Sequence, residues 1–276
     1  MRLVNHLIVL IILIAFCDKT VSQQKYIRGY FSQNVWTILS MRYCTFNVLQ
    51  NETIYSQDFM ISAKRTETTE AISFERNKKI AYLPIKVYNV FPNLVAYEVF
   101  DCLLRAVKRE NFERLDKLQF VGLQQNQLRH IPYDTFKDLI HLQHIHLYGN
   151  ELTYVEERTF ETLENLRSIN MKENQIDYIY EGIFDNLIEL RNVSLGNNNI
   201  RVLNENHFKN NKYIEYIWLS RNKIQELSSK TFDNMRYLKY VDLRGNPCIS
   251  GSYRVAKFKE MVKRIDISCK PRNGRN

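Results

Sequence analysis

The sequence predicts an α/β solenoid built from stacked 24-residue coils, and three columns of residues carry that prediction. Leu94, Leu118, Leu142, Leu166, Leu190, Ile214 and Leu238 each stand 24 apart. Asn126, Asn150, Asn174, Asn198, Asn222 and Asn246 fall in one register eight positions further on, with Cys102 in the first slot. Phe112, Phe136, Phe160, Phe184, Phe208 and Phe232 form the third column without exception. A fixed period of this size marks an architecture in which each unit packs only on its neighbours.

Each column has a physical reason. One unit reads LQHIHLYGNELTYVEERTFETLEN, residues 142–165. Its early apolar residues alternate, so the segment forms a short strand with one face inward, and successive strands stack into a parallel sheet. An Asn column suits a buried amide that caps backbone groups where the chain turns off the sheet; one such group left unpaired costs roughly 1–3 kcal/mol. The Phe column fills the convex side, where each Phe→Ala change is expected to cost about 3–5 kcal/mol. The pattern LxxLxLxxNxL, followed by xxΦxxxxFxxL, resembles the leucine-rich repeat in its 24-residue extracellular form. The resemblance covers 94–246. A degenerate unit, 70–93, extends it through Phe74, Asn77, Ile80, Leu83, Tyr88 and Phe91 if one extra residue follows Asn77. It implies a horseshoe with a parallel concave β-sheet and a cap at each end, a scaffold that carries many unrelated binding roles.

The chain has 276 residues, 45% apolar and 25% charged, which excludes wholesale disorder and collagen-like repeats. Its formal charge is +9, but residues 254–276 hold eight basic residues against Glu260 and Asp266. The excess thus describes one end of the molecule, which weakens any argument for nucleic acid from charge alone. Residues 1–22 read as a signal peptide: Arg2 precedes the apolar run Leu7 to Phe16, too short to span a bilayer, and Thr20-Val21-Ser22 offers small side chains before Gln23. No later stretch reaches a membrane-spanning length. The expected location is extracellular, without a membrane span.

Removing Cys17 with the leader leaves Cys44, Cys102, Cys248 and Cys269, an even count that favours two disulfides in an oxidising compartment. A solenoid must also seal its open ends. After Asn246 the repeat stops, and Phe258, Met261, Val262 and Ile265 recur at helical spacing, so 247–276 is expected to be a C-terminal cap helix closed by Cys248–Cys269. Cys44–Cys102 follows by elimination and would pin an N-terminal cap, 23–69, to the first clear repeat. The basic tail is either the solvated face of that helix or a patch for an acidic partner such as sulfated glycan.

With the inward positions used by the core, ligand contacts belong to the third, fifth and seventh positions of each strand, which face the concave side. Tyr216, Trp218 and Tyr240, beside Arg221 and Arg244, combine the residue types enriched at binding hot spots. Phe100, Phe120, His144, His146 and Tyr148 form a second group nearer the N-terminus. His144 and His146 share one strand face, but structural metal sites want four ligands, so a solvated pair is expected and no metal. Two glycosylation sequons occur, at Asn51 in the N-terminal cap and at Asn192 in the middle of the concave face. No GxSxG, HExxH, P-loop or GxGxxG is present and the carboxylates scatter over loops, so no enzyme and no cofactor are expected.

The stretch 80–112, IAYLPIKVYNVFPNLVAYEVFDCLLRAVKRENF, with YCTFNVLQNETIY at 43–55, resembles secreted insect leucine-rich repeat proteins. The matching features are LPxxVYxxFPNLxxYxxxxCxLxxV and the single upstream Cys44. Mosquito leucine-rich repeat immune proteins share this plan, and the resemblance implies extracellular recognition of complement-like thioester proteins. Long members of that family add a C-terminal coiled coil and dimerising cysteines; only seven residues follow Cys269, which matches the short, coil-less type. The function expected is a secreted protein-recognition module. The alternative is a matrix or adhesion protein that holds acidic glycans through the basic tail.

Overall fold

The computed structural model describes residues 15–16, 43–46, 70–76 and 80–269. Each coil gives one short strand to a single sheet. In chain order these are β1 (Ala15–Phe16), β2 (Tyr43–Phe46), β3 (Ala71–Glu75), β4 (Ala96–Phe100), β5 (Phe120–Gly122), β6 (His144–His146), β7 (Ser168–Asn170) and β8 (Asn192–Ser194). After β9 (Val202–Leu203) come β10 (Tyr216–Trp218), β11 (Glu226–Leu227), β12 (Tyr240–Asp242) and β13 (Ser252–Arg254). The sheet runs β1-β2-β3-β4-β5-β6-β7-β8-β10-β12-β13, while β9 and β11 pair separately.

From β2 to β12 every pairing is parallel. From β4 onward the register advances one repeat per strand, as in Phe120↔His144↔Ser168. Between β3 and β4 it is Ala71↔Ala96, one residue longer, which is the extra residue that the degenerate repeat requires. Within the segment expected as an N-terminal cap, β2 adds a further parallel rung, with Cys44 opposite Ile72. Ala15 and Phe16, in the stretch read as a leader, form a two-residue antiparallel rung on β2.

All three columns behave as their chemistry requires. The Phe column is buried from Phe112 to Phe232, and its rings meet across coils: Phe112 lies tilted 5.6 Å from Phe136, and Phe184 stacks 5.3 Å from Phe208. Each Asn staples its own turn to the preceding coil. The Oδ1 of Asn174 accepts from Leu152 N at 3.0 Å, and its Nδ2 donates to Leu147 O at 3.0 Å and Met171 O at 3.1 Å. Asn150, Asn198, Asn222 and Asn246 repeat that arrangement. Cys102, in the same slot, points its Sγ at Phe74 O and Phe100 O.

The residue before each Asn-column position is left-handed throughout the repeats. Asp101, Gln125, Glu173, Asn197 and Arg221 have φ between 51° and 57°, and Gly149 and Gly245 fill the other two places at 68° and 71°. Glycine meets that geometry without strain, whereas side-chain-bearing residues accept it because the amide staple fixes the turn.

At the C-terminal end α1 (Phe258–Ser268) buries Met261 and Ile265, with Phe258 packed against the core. The Cys248–Cys269 disulfide is present, with its Cα atoms 5.0 Å apart. Cys269 O also accepts from Leu227 N, which ties the helix end to the last coils. The sequence pattern misses β13, which pairs antiparallel with β12 and buries Tyr253 over the exposed end of the core. The expected Cys44–Cys102 bridge falls on Cys44, whose side chain lies outside the described residues.

Two stability outcomes follow from this packing. Asn174→Ala removes an amide that satisfies one backbone donor and two acceptors, so it should lower the free energy of unfolding by about 3 kcal/mol, whereas Asn199→Ala, which removes only one exposed bond to Gln175 O at 3.3 Å, should change little. Urea denaturation of both variants measures the difference. Tyr97 occupies a core strand position that is Val or Ile in the following coils, and its fully buried hydroxyl has no hydrogen-bond partner among the described residues. Burial pushes that hydroxyl's pKa up. Tyr97→Phe should therefore raise stability by about 1 kcal/mol, because it removes an unsatisfied group and keeps the ring against Phe112.

Candidate functional site

The concave face divides into three zones. At its C-terminal third, β10 and β12 carry an aromatic patch. Tyr216 and Trp218, two residues apart on one strand, stack with ring centroids 5.6 Å apart and planes 11° from parallel. Tyr240, directly opposite Tyr216 in the register, lies 6.4 Å from the Trp218 ring. All three rings are half-buried. Lys239 sits with its Nζ 5.8 Å from the centre of the Tyr216 ring while it pairs with Glu215.

The two arginines expected here are differently held. Arg244 extends into solvent and is fixed by Asp242, which accepts from its Nε at 2.9 Å and its Nη2 at 2.7 Å. Burial alone would raise the Asp242 pKa, but the hydrogen bonds from Arg244 outweigh it and hold the carboxyl below its ordinary range. Arg221 is exposed in the left-handed turn after β10, where its N–H donates to Arg244 O. The sheet therefore brings Tyr216, Trp218, Tyr240, Arg221 and Arg244 to one end of the concave face.

Sequence reasoning missed a second stacked pair that precedes the same two strands. Tyr213 and Tyr237 stack at 5.5 Å on the edge just before β10 and β12, and both are substantially exposed. Their 24-residue separation, one place before each repeat's first apolar residue, is the signal that would have found them.

In the N-terminal third the expected aromatic group is only partly accessible. Phe120 is buried with Ala71 and Ala96 in a small cluster apart from the main core. His146 is buried too and packs edge-on against Phe120, with centroids 5.0 Å apart. Phe100, His144 and Tyr148 remain half-buried. The pair His144 and His146 is thus not a solvated one. Desolvation, with the neighbouring His144 adding to it, pushes His146 down to about 3, and His144 is lowered by desolvation and by Arg167. Among the described residues no group of three or more His, Cys, Asp or Glu is placed to hold a metal ion.

The middle zone is small and polar: Ser168, Asn170, Asn192 and Ser194. Asn192 of the second sequon is half-buried and stands directly opposite Tyr216 in the register. A glycan there would border the aromatic patch. Asn51 lies outside the described residues.

The coil geometry and the Asn staples decide the architecture. The fold is a leucine-rich-repeat solenoid. The profile of the BspA type leucine rich repeat region matches residues 105–239 in six copies. The TLR13 chain in a crystal structure of the TLR13–ssRNA13 complex is similar to it, with a TM-score of 0.60 and 25% sequence identity. That similarity covers 68% of this chain and 28% of the TLR13 chain. No curated protein matches the sequence. A leucine-rich-repeat solenoid of this kind suits a binding or recognition module, with its ligands set by the outward side chains. No helix among the described residues is long and apolar enough to cross a membrane.

The buried histidine gives this face a pH signature. His146 is neutral when folded and takes a proton at its ordinary value near 6.5 when unfolded. Between about 6.5 and 3 the unfolded chain therefore binds the extra proton. The stabilising contribution is complete above 6.5 and is lost as the pH falls through that window. In urea titrations the wild type should lose stability on going from pH 7.5 to 4.5 faster than His146→Gln, and parallel profiles would contradict the assignment.

Proposed function

We propose that this protein is a secreted recognition module that binds another extracellular protein through the C-terminal third of its concave face. The observation that carries the reading is the patch of Tyr216, Trp218 and Tyr240, in which the Trp218 ring lies 5.6 Å from Tyr216 and 6.4 Å from Tyr240 on strand positions that the core does not use. Large rigid rings flanked by Arg221 and Arg244 supply contact area at low entropic cost and a charged rim. Tyr213 and Tyr237 add a second exposed stacked pair just before the same two strands. The apolar run Leu7–Phe16 supports secretion, and the resemblance to mosquito immune proteins suggests a complement-like thioester protein as partner.

The exposed basic face of the C-terminal cap favours a second reading. Arg254, Lys257, Lys259, Lys263 and Arg264 all face solvent, which suits sulfated glycans of a matrix or cell surface.

One experiment separates the two. The chain from Gln23 is immobilised and the proteins retained from extracellular fluid are identified, beside a Tyr216→Ser, Trp218→Ser, Tyr240→Ser variant. A partner retained by the wild type and lost by the variant, at least ten-fold, supports concave recognition. Retention that is unchanged in the variant but vanishes at moderate salt rejects it in favour of the basic cap.

A further inference from the structure

Away from the concave patch, the coils present a second surface with a different chemistry. In the row that follows each Asn turn, Tyr154 and Tyr178 occupy equivalent places, and Tyr180 stands two residues beyond Tyr178. They are 40%, 51% and 38% exposed, high values for rings with no place in the core. The row is ordered. The His130 and Tyr154 rings lie 5.6 Å apart across neighbouring coils, and Tyr178 meets Tyr180 edge-on at 5.0 Å. At its C-terminal end the same row becomes the separate two-stranded sheet, with Val202 opposite Glu226, so it lies on a face distinct from the concave one.

The charge around these rings runs against the molecule's total. Residues 151–189 hold ten acidic and three basic residues in a chain of net charge +9. Several of those acids are already paired: Glu151 with Arg129, Glu156 with His130 and Glu161 with Arg158. Glu157, Asp177 and Glu181 interleave with the tyrosines and have no basic side chain within ion-pair distance among the described residues. Hydrogen bonds from the side-chain amides of Asn204 and Asn206 hold the Glu181 carboxyl below its ordinary range, so it stays charged.

Exposed tyrosine faces beside carboxylates that no cation neutralises fit one kind of ligand. A guanidinium stacks on the ring and is neutralised by the neighbouring acid, and at an exposed site each such contact is modest, so several must act together. The chain already makes this contact beside the row, where Arg158 lies 5.9 Å over the Tyr133 ring while it pairs with Glu161. Coils stacked about 4.8 Å apart repeat the arrangement along the row, which suits an extended segment rather than a single side chain.

We propose that the row of Tyr154, Tyr178 and Tyr180, with Glu157, Asp177 and Glu181, is a docking surface for an extended arginine-rich segment of a partner protein. It is independent of the concave patch and stands or falls separately.

The test uses the full chain and a fluorescent octa-arginine peptide as the probe, followed by anisotropy at low salt. Saturable binding is expected. Tyr154→Ser, Tyr178→Ser and Tyr180→Ser together, which leave the charge unchanged, should weaken it at least ten-fold. Glu157→Gln, Asp177→Asn and Glu181→Gln together should weaken it and flatten its salt dependence. The concave triple variant should bind like the wild type, which keeps this result apart from the function proposed above. All substituted positions are on the surface, and circular dichroism checks that each variant folds.

Binding that survives the tyrosine substitutions would overturn the proposal, because only a diffuse acidic surface would then be at work. Equal loss in the concave variant would overturn it as well. So would salt-sensitive self-association of the wild type, seen by sedimentation and abolished by the same substitutions. In that case the occupant is the basic cap of a second copy.

Discussion

The buried amide at the end of each strand is the interaction on which the rest of this molecule depends. A coil of this length cannot bury its own strand, its turn and its convex segment at once. It becomes stable only when the neighbouring coil covers it. The Asn side chain makes that contact specific. Its Oδ1 takes a backbone donor from the preceding coil, while its Nδ2 serves one carbonyl of that coil and one of its own, as Asn222 does with Ile200 N, Leu195 O and Leu219 O. Because the same atoms are joined at each repeat, every coil is held at the same offset. The Leu and Phe columns then meet their counterparts from coil to coil.

This stapled frame frees the remaining side chains. Positions that face outward on the strands contribute little to the core, so they can differ from coil to coil while the backbone stays the same. The molecule uses that freedom to sort its chemistry by zone. One end of the concave face collects aromatic rings with arginines at the rim. The middle is small and polar. The flank of the central coils is acidic with exposed tyrosines, and the cap helix is basic. The net charge describes none of these zones, because it averages an acidic middle with a basic end.

The N-terminal third of the sheet follows a different rule. Phe120 and His146 stand at outward positions, yet they are buried against each other and against Ala71 and Ala96. Their residue types at those positions look like binding residues, and the alternation of the strand gives no warning that they are covered. The same limit applies to β2 and β13. Tyr43–Phe46 and Ser252–Arg254 lie outside the repeat, so no period announces them, and they join the sheet because its edges offer unpaired backbone groups.

The sequence by itself determined the solenoid, its period, the place of the extra residue in the degenerate repeat, the buried Asn and Phe columns, the cap helix and the Cys248–Cys269 bridge. All of these are local patterns repeated in register, and a periodic constraint is legible because each copy confirms the others. Only the tertiary structure decided which outward residues are accessible, that Tyr213 stacks on Tyr237, and that Tyr154, Tyr178 and Tyr180 stand exposed beside carboxylates that no cation neutralises. Exposure and alignment arise from coils stacked about 4.8 Å apart, a distance that joins residues a full repeat away in the chain. No single unit contains that information.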